Sequence, residues 1–347
     1  MRILVRATNW VGDAVMNLPA LGVIIKEHPG DEVHVVAKPW VAPIFSAFPG
    51  VAGVMPYSGK LKGVADSEGL SFGKAIKRIR ELGFQKAYLF QNAFEAALLS
   101  YLGRIPERIG YARDCRRLLL TAPIAVTEEV RQLHHVNYYL HMLEEAGLDT
   151  SDPGIPTLVL REEVLDRASR TITNALGDIG SNGYLAVCPG AAFGPAKRWF
   201  PERFAEVIDY AWSKHALPSI LLGSQSEKVI TSRIAALASA KCVDLAGDTT
   251  LLEVGGILSQ SRVVLSNDSG LMHLAAAVGP PVIAIFGSTN PTATGPLGEK
   301  HIILKSDSDC APCLERECKK GSYECLDSIT VGMVVEALDE AIGAHRK

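Results

Sequence analysis

Apolar residues recur along this chain in two alternating rhythms. Compact, branched runs at 2–7, 32–37 and 86–91 are bounded by charges or turn formers and read as strands. Stretches with helical spacing occupy 13–27, 71–82, 94–102 and 130–146. The segment 149–156 has no period and is dense in Asp, Ser, Pro and Gly, so it reads as the start of a linker. After a helix at 161–176 the alternation resumes, with strands at 184–188, 218–222, 262–266 and 282–286. Helices are expected at 201–214, 227–238, 251–259 and 270–278, and a last one at 331–342. Strand–helix–strand repetition implies parallel pairing through right-handed crossovers. The expectation is an α/β protein of two Rossmann-like parallel-sheet domains, 1–160 and 161–347, facing an interdomain cleft. Ligands of such sheets bind beyond the carboxyl ends of the strands.

Composition narrows the class. At 347 residues each half is long enough to bury a full core. The chain is 48% hydrophobic and 21% charged, which argues against disorder, and its net charge of −3 gives no basis for a nucleic-acid partner. A membrane span needs about 20 apolar residues. The longest candidate, 274–287, is shorter and is broken by Pro280 and Pro281. Arg6 and Asp13 interrupt the region where a secretory signal would lie. The protein is therefore expected to be cytoplasmic, with only peripheral membrane contact at the inner face of the inner membrane. The oligomeric state is left open.

Two strand-end loops carry the most chemistry. In the first, Asn267, Asp268 and Ser269 are N-cap types for the helix that follows a strand ending at Ser266. Gly270 allows close backbone approach, and the exposed N–H groups favour a phosphate. His273 lies within the first turns of that helix. The plain structural reading is a well-capped crossover helix with one polar residue on its surface. In the second loop, Gly190 and Gly194 supply flexibility, while Lys197 and Arg198 supply charge for a diphosphate leaving group. Its structural reading is an ordinary connection in which Pro201 begins a helix and Trp199 packs below. Neither loop is a Walker A sequence, and no dinucleotide-binding Gly-x-Gly-x-x-Gly occurs.

Asp13 follows the first strand and stands at a helix start, placed either to accept a proton from an attacking hydroxyl or simply to cap. Arg104, Arg108, Arg113, Arg116 and Arg117 cluster around one loop. They suit an anionic acceptor, or form a solvated basic face offset by Glu107 and Asp114. Seven cysteines are present, four of them spaced Cys310-x2-Cys313-x4-Cys318-x6-Cys325. That set could make a structural zinc site, or consist of reactive or packing thiols.

Together these segments resemble glycosyltransferase family 9, the bacterial ADP-heptose:lipopolysaccharide heptosyltransferases, over nearly the whole chain. The resemblance rests on Trp10-Val11-Gly12-Asp13 with Leu18-Pro19-Ala20, on Pro189-Gly190-Ala191 with Lys197-Arg198-Trp199, and on Ser266-Asn267-Asp268-Ser269-Gly270 with His273 and Ala275. Gly287, Thr289-Asn290-Pro291 and Gly295-Pro296 continue it. The Trp-Val-Gly-Asp form and the late cysteines resemble the heptosyltransferase II branch, rather than the branch adding the first heptose. The resemblance implies a GT-B fold whose N-terminal domain binds the acceptor, a lipid A-linked core oligosaccharide, and whose C-terminal domain binds ADP-heptose. It implies inversion at the anomeric carbon without a required cofactor or catalytic metal, and a last helix that returns to the first domain. Asp13 becomes the expected general base and Lys197 the diphosphate stabiliser. Gly190, Ala191, Ala192, Glu227, Asp268, Ser269, Gly270 and His273 are the expected donor contacts. Trp10, Arg113, Arg116 and Arg117 are expected on the acceptor. Ala191 and Ala192 depart from the hydroxyl residues of first-heptose relatives and offer only backbone groups, and Pro201 lies one residue later than usual. Another core glycosyltransferase, a nucleotide-sugar epimerase and a nonenzymatic nucleotide or metal sensor are the competing readings.

Overall fold

The computed structural model describes residues 1–59, 69–177 and 182–344. The chain divides into two compact units, Met1–Leu158 and Val159–Lys347.

In the first unit, β1 (Arg2–Arg6), β2 (Glu32–Ala37), β3 (Val51–Pro56), β4 (Lys86–Leu89), β5 (Glu107–Tyr111) and β6 (Ala122–Ile124) form one parallel sheet. Its order is β3-β2-β1-β4-β5-β6. The second unit contains β7 (Leu185–Cys188), β8 (Ser219–Leu221), β9 (Cys242–Asp244), β10 (Val263–Asn267), β11 (Val282–Phe286) and β12 (Ile302–Lys305). These pair in parallel in the order β12-β11-β10-β7-β8-β9, the same winding read from the other side. Strand order therefore reverses between β1 and β4 in one sheet and between β7 and β10 in the other. At such reversals of an open α/β sheet the loops diverge to opposite faces and leave a crevice, where ligands bind.

Central strands bury both faces, as helices cover each side of a parallel sheet. All residues of β7, β10 and β11 are buried. The strands absent from the sequence expectation are β3, β5, β6 and β12, with β9 suggested only by the strand-like surroundings of Cys242. Four of these five are sheet edges. Their patterns are weakened by partial exposure in β12 and β9 and by turn residues such as Gly53, Pro56 and Pro123.

Two expected long helices are each divided. The first becomes Val11–Met16 and Leu18–Glu27, parted at Asn17, whose side-chain oxygen accepts from the backbone N–H (3.2 Å) and hydroxyl (2.9 Å) of Thr8. Pro19 falls in the first turn of the second piece, where its missing N–H costs nothing. The other becomes Glu128–Gln132 and His135–Glu145, separated where Leu133 turns extended.

The last helix, Val331–Ala344, packs within the second unit. Its Val334, Ala337, Leu338, Ala341 and Ile342 are buried in one cluster with Leu185, Val187, Leu265, Ile283 and Ile285 of the second sheet. Its apolar face is thus spent on the second unit's own core. Leu338→Ala should cost about 3 kcal/mol through lost burial and the cavity left behind. Denaturant titration should show a lower midpoint with an unchanged slope.

Candidate active site

The loop after β7 and the loop after β10 meet at the reversal of the second sheet. Asn267, the last residue of β10 and fully buried, spans them. Its amide nitrogen donates to the Pro189 carbonyl at 2.7 Å, and its oxygen accepts from the Trp199 backbone N–H at 3.2 Å. Trp199 is itself buried, donates through Nε1 to the Ile329 carbonyl at 2.9 Å and meets Phe204 edge-on. These contacts set the path of the intervening residues.

Within that path Pro195–Lys197 makes a short helical turn. The Lys197 ammonium lies 2.5 Å from Asp268 Oδ2, and the Thr289 hydroxyl donates to the same oxygen at 2.6 Å. Lys197 also sits 4.9 Å from the centroid of the Phe193 ring. Asp268 is 4% exposed, so the pair is screened little by solvent and the ammonium is held in one place. Asp268 thereby holds Lys197 and Thr289 on one carboxylate oxygen.

Ser269 caps helix Gly270–Val278 by accepting from the Met272 N–H at 3.4 Å, and the other first-turn N–H groups have no partner within the helix. His273 is buried at 6% exposure, contrary to the reading of a polar residue on the helix surface. Gly190 has no room for a side chain, since a Cβ would overlap the Glu227 carboxylate. Oε2 of Glu227 accepts from the Ser224 N–H (2.8 Å) and hydroxyl (2.7 Å), closing a capping box. Oε1 lies against Gly190. Ala191 is buried with its carbonyl bound by Arg198 at 3.0 and 3.2 Å, while Ala192 is exposed.

In the first unit Asp13 stands in the first turn of Val11–Met16, one-quarter exposed, with Oδ1 at 3.3 Å from His135 Nδ1. His135 was not expected: it is 122 residues away and begins another helix, so no local spacing points to it. Trp10 is exposed just before this helix, and exposed Trp40 donates through Nε1 to the Asn9 carbonyl at 2.8 Å. Beneath them lies a second group that sequence reasoning overlooked. Arg6, fully buried at the end of β1, is 3.9 Å from Glu95 and donates to Asn9 Oδ1 at 3.1 Å and to the Ala7 carbonyl at 2.5 Å. Tyr57 donates to Glu95, and Lys38 donates to the Ser58 carbonyl at 2.7 Å. Burial pulls the Arg6 and Lys38 pKa values down and pushes that of Tyr57 up, a change Glu95 reinforces. The available signal was an arginine closing the strand Arg2–Arg6, whose three middle residues are apolar.

Arg116 corrects its expected acceptor role. It is fully buried and donates to the carbonyls of Tyr111 (2.7 Å) and Gln91 and to Asn92 Oδ1 (2.9 Å). Burial draws its pKa down to about 10. It is a strut between the loops after β4 and β5. Arg108 is similarly spent on the carbonyls of Leu119, Ile105 and Pro106. Arg117 is exposed and Arg113 half-buried.

The four late cysteines are free thiols: Cys325 is buried, Cys313 exposed, and Cys310 and Cys318 lie between. Among the described residues no three His, Cys, Asp or Glu side chains converge to hold a metal ion, and the other three late thiols all act on Cys325. Backbone N–H groups, that of Tyr323 foremost, hold the Cys318 thiol below its usual pKa, whereas burial pushes Cys325 up.

Two Rossmann-like units with the same six-stranded parallel winding are the architecture of the GT-B class. The chain belongs to glycosyltransferase family 9 (heptosyltransferase), whose pattern matches residues 72–324. It is 28% identical to the lipooligosaccharide heptosyltransferase 2 of Haemophilus ducreyi, over 99% of both chains. It is 27% identical to the lipopolysaccharide heptosyltransferase 2 of Escherichia coli, over 98% of both. The structure of E. coli ADP-heptose lps heptosyltransferase II superimposes over the full length of both chains with a TM-score of 0.81 and 26% identity. Family membership sets aside the epimerase and the nonenzymatic sensor.

Lys197→Ala should lower kcat about 100- to 1,000-fold, the cost of losing one group that neutralises the departing charge. Asp268→Asn should lower kcat about 10- to 100-fold through misplacement of the ammonium. It should leave ADP affinity unchanged or tighter, because a negative charge is gone. Steady-state kinetics with calorimetric ADP binding separates the two variants. Arg116→Met should cost about 3 kcal/mol in chemical denaturation, from lost hydrogen bonds and stranded carbonyls, with acceptor KM unchanged in the folded protein.

Proposed function

We propose that this enzyme transfers a heptose from ADP-heptose to a lipopolysaccharide inner core that already carries one heptose, inverting the anomeric centre. The observation that carries the reading is end-to-end similarity to proteins named heptosyltransferase 2, at 27–28% identity. Asp13 takes the proton from the acceptor hydroxyl as its oxygen bonds to the anomeric carbon. His135, 3.3 Å from Asp13, orients that carboxylate. The sugar–phosphate bond breaks on the opposite face, and its electron pair stays on the ADP oxygen. Lys197 and the first-turn N–H groups of helix Gly270–Val278 meet the resulting charge. Glu227 is assigned to the nucleoside, and Trp10, Arg113 and Arg117 to the acceptor.

Such an acceptor is lipid-linked, so membrane contact at the inner face of the inner membrane is peripheral and comes through the acceptor. Among the described residues no helix is long and apolar enough to cross a membrane.

Transfer from ADP-heptose to purified acceptors with zero or one heptose, followed by ADP release and acceptor mass, tests the assignment. One heptose should be gained only by the monoheptosylated acceptor. Gain by the heptose-free acceptor alone would make this a first-heptose enzyme. Asp13→Asn should reduce kcat about 100- to 10,000-fold with donor KM little changed. Normal turnover by that variant would remove Asp13 as the base.

A further inference from the structure

The segment bearing the late cysteines has no role in the chemistry above, yet it is tied to the donor loops at three points. The Leu314 N–H donates to the Ser288 carbonyl at 2.8 Å, just beyond β11. The Ala196 N–H donates to the Arg316 carbonyl at 3.1 Å. Arg316 Nε donates to the Phe193 carbonyl at 2.7 Å. Gly194 permits this approach, because a Cβ there would overlap the Arg316 carbonyl oxygen. The guanidinium carbon lies 5.9 Å from the centroid of the Phe193 ring, the same ring that Lys197 approaches to 4.9 Å. Two cations from separate segments thus share one aromatic ring in the loop where the diphosphate is expected.

Charge balance gives this placement a purpose. Lys197 is paired with Asp268, so the two are neutral as a unit and cannot by themselves offset a diphosphate. Ala191 and Ala192 have no hydroxyl to donate, and the Ala191 carbonyl is occupied by Arg198. Arg316 is exposed, and its terminal nitrogens form no ion pair with a described carboxylate. The adjacent Glu315 is already engaged by Lys319. A guanidinium anchored through Nε retains a planar edge for phosphate oxygens.

We propose that Arg316 is a second cationic contact to the donor's diphosphate, delivered by the cysteine-bearing segment, whose hydrogen bonds hold it at the loop after β7. In the transfer step the sugar–phosphate bond breaks with its electron pair on the ADP oxygen. Arg316 neutralises part of that charge and exchanges no proton. The assignment rests on the reading of an ADP-linked donor.

Calorimetric titration of the full-length enzyme with ADP and with AMP, at several ionic strengths, tests it. Arg316→Gln should weaken ADP binding about 10-fold or more, leave AMP binding within about twofold, and flatten the salt dependence of ADP affinity. Arg316→Lys, which keeps the charge, should retain the wild-type salt dependence. Wild-type ADP affinity in Arg316→Gln would overturn the proposal. So would equal losses for ADP and AMP, the signature of a damaged loop. Failure of the folded wild-type enzyme to bind ADP would instead remove the donor reading itself, and this assignment with it.

Discussion

Two residues at the end of β10 hold the second unit's ligand edge together. Asn267 bonds both ends of the loop after β7, and Asp268 draws Lys197 from that loop and Thr289 from the loop after β11 onto one carboxylate oxygen. Both side chains are buried, where an unpaired amide or carboxylate would be costly, so each contact is enforced by the penalty for its absence. Three loops otherwise free to wander are thereby held before any ligand arrives. Preorganisation of this kind matters most for a leaving-group stabiliser, because a charge already in place needs no reorganisation as the bond breaks.

The first unit repeats the winding and puts different chemistry on it. At the end of β1, the position corresponding to β7, a buried arginine replaces the polar loop contacts. Arg6 is kept inside by Glu95, Asn9 and backbone carbonyls, with the Tyr57 ring 5.4 Å from its guanidinium carbon. This floor supports the residues around Trp10 and Asp13 from below. The shared topology brings polar and charged groups to the same edge of each sheet; side-chain identity at that edge sets the two units apart.

The cysteine-bearing segment shows what spacing alone leaves open. A Cys-x2-Cys pair followed by two more thiols is a fair pattern for zinc, but spacing reports separation along the chain and not convergence in space. The segment is instead organised by backbone contacts of Leu314 and Arg316 with the donor loops, and by Cys325 and Leu326 packed beside Gly287. Arg116 teaches the same lesson in charge. Five arginines close together in sequence read as an anion-binding cluster or a solvated basic face, yet Arg108 and Arg116 are consumed by carbonyls and Asn92, and Arg117 is exposed.

Sequence alone determined the α/β class and the central strands, because residues buried on both faces must be apolar throughout, and it placed a division at 160, where the structure divides after Leu158. It also placed Asp13, Lys197 and Asp268 at strand ends, since local caps and turns mark those ends directly. Edge strands such as β3 and β6 escaped because half-exposed positions tolerate the residues of a turn. Only the tertiary structure could decide what depends on contacts between distant segments: His135 beside Asp13, Asp268 gripping Lys197, and the last helix committed to the second sheet. Those pairings are fixed by burial and by the cost of unpaired polar groups, and neither leaves a period in the chain.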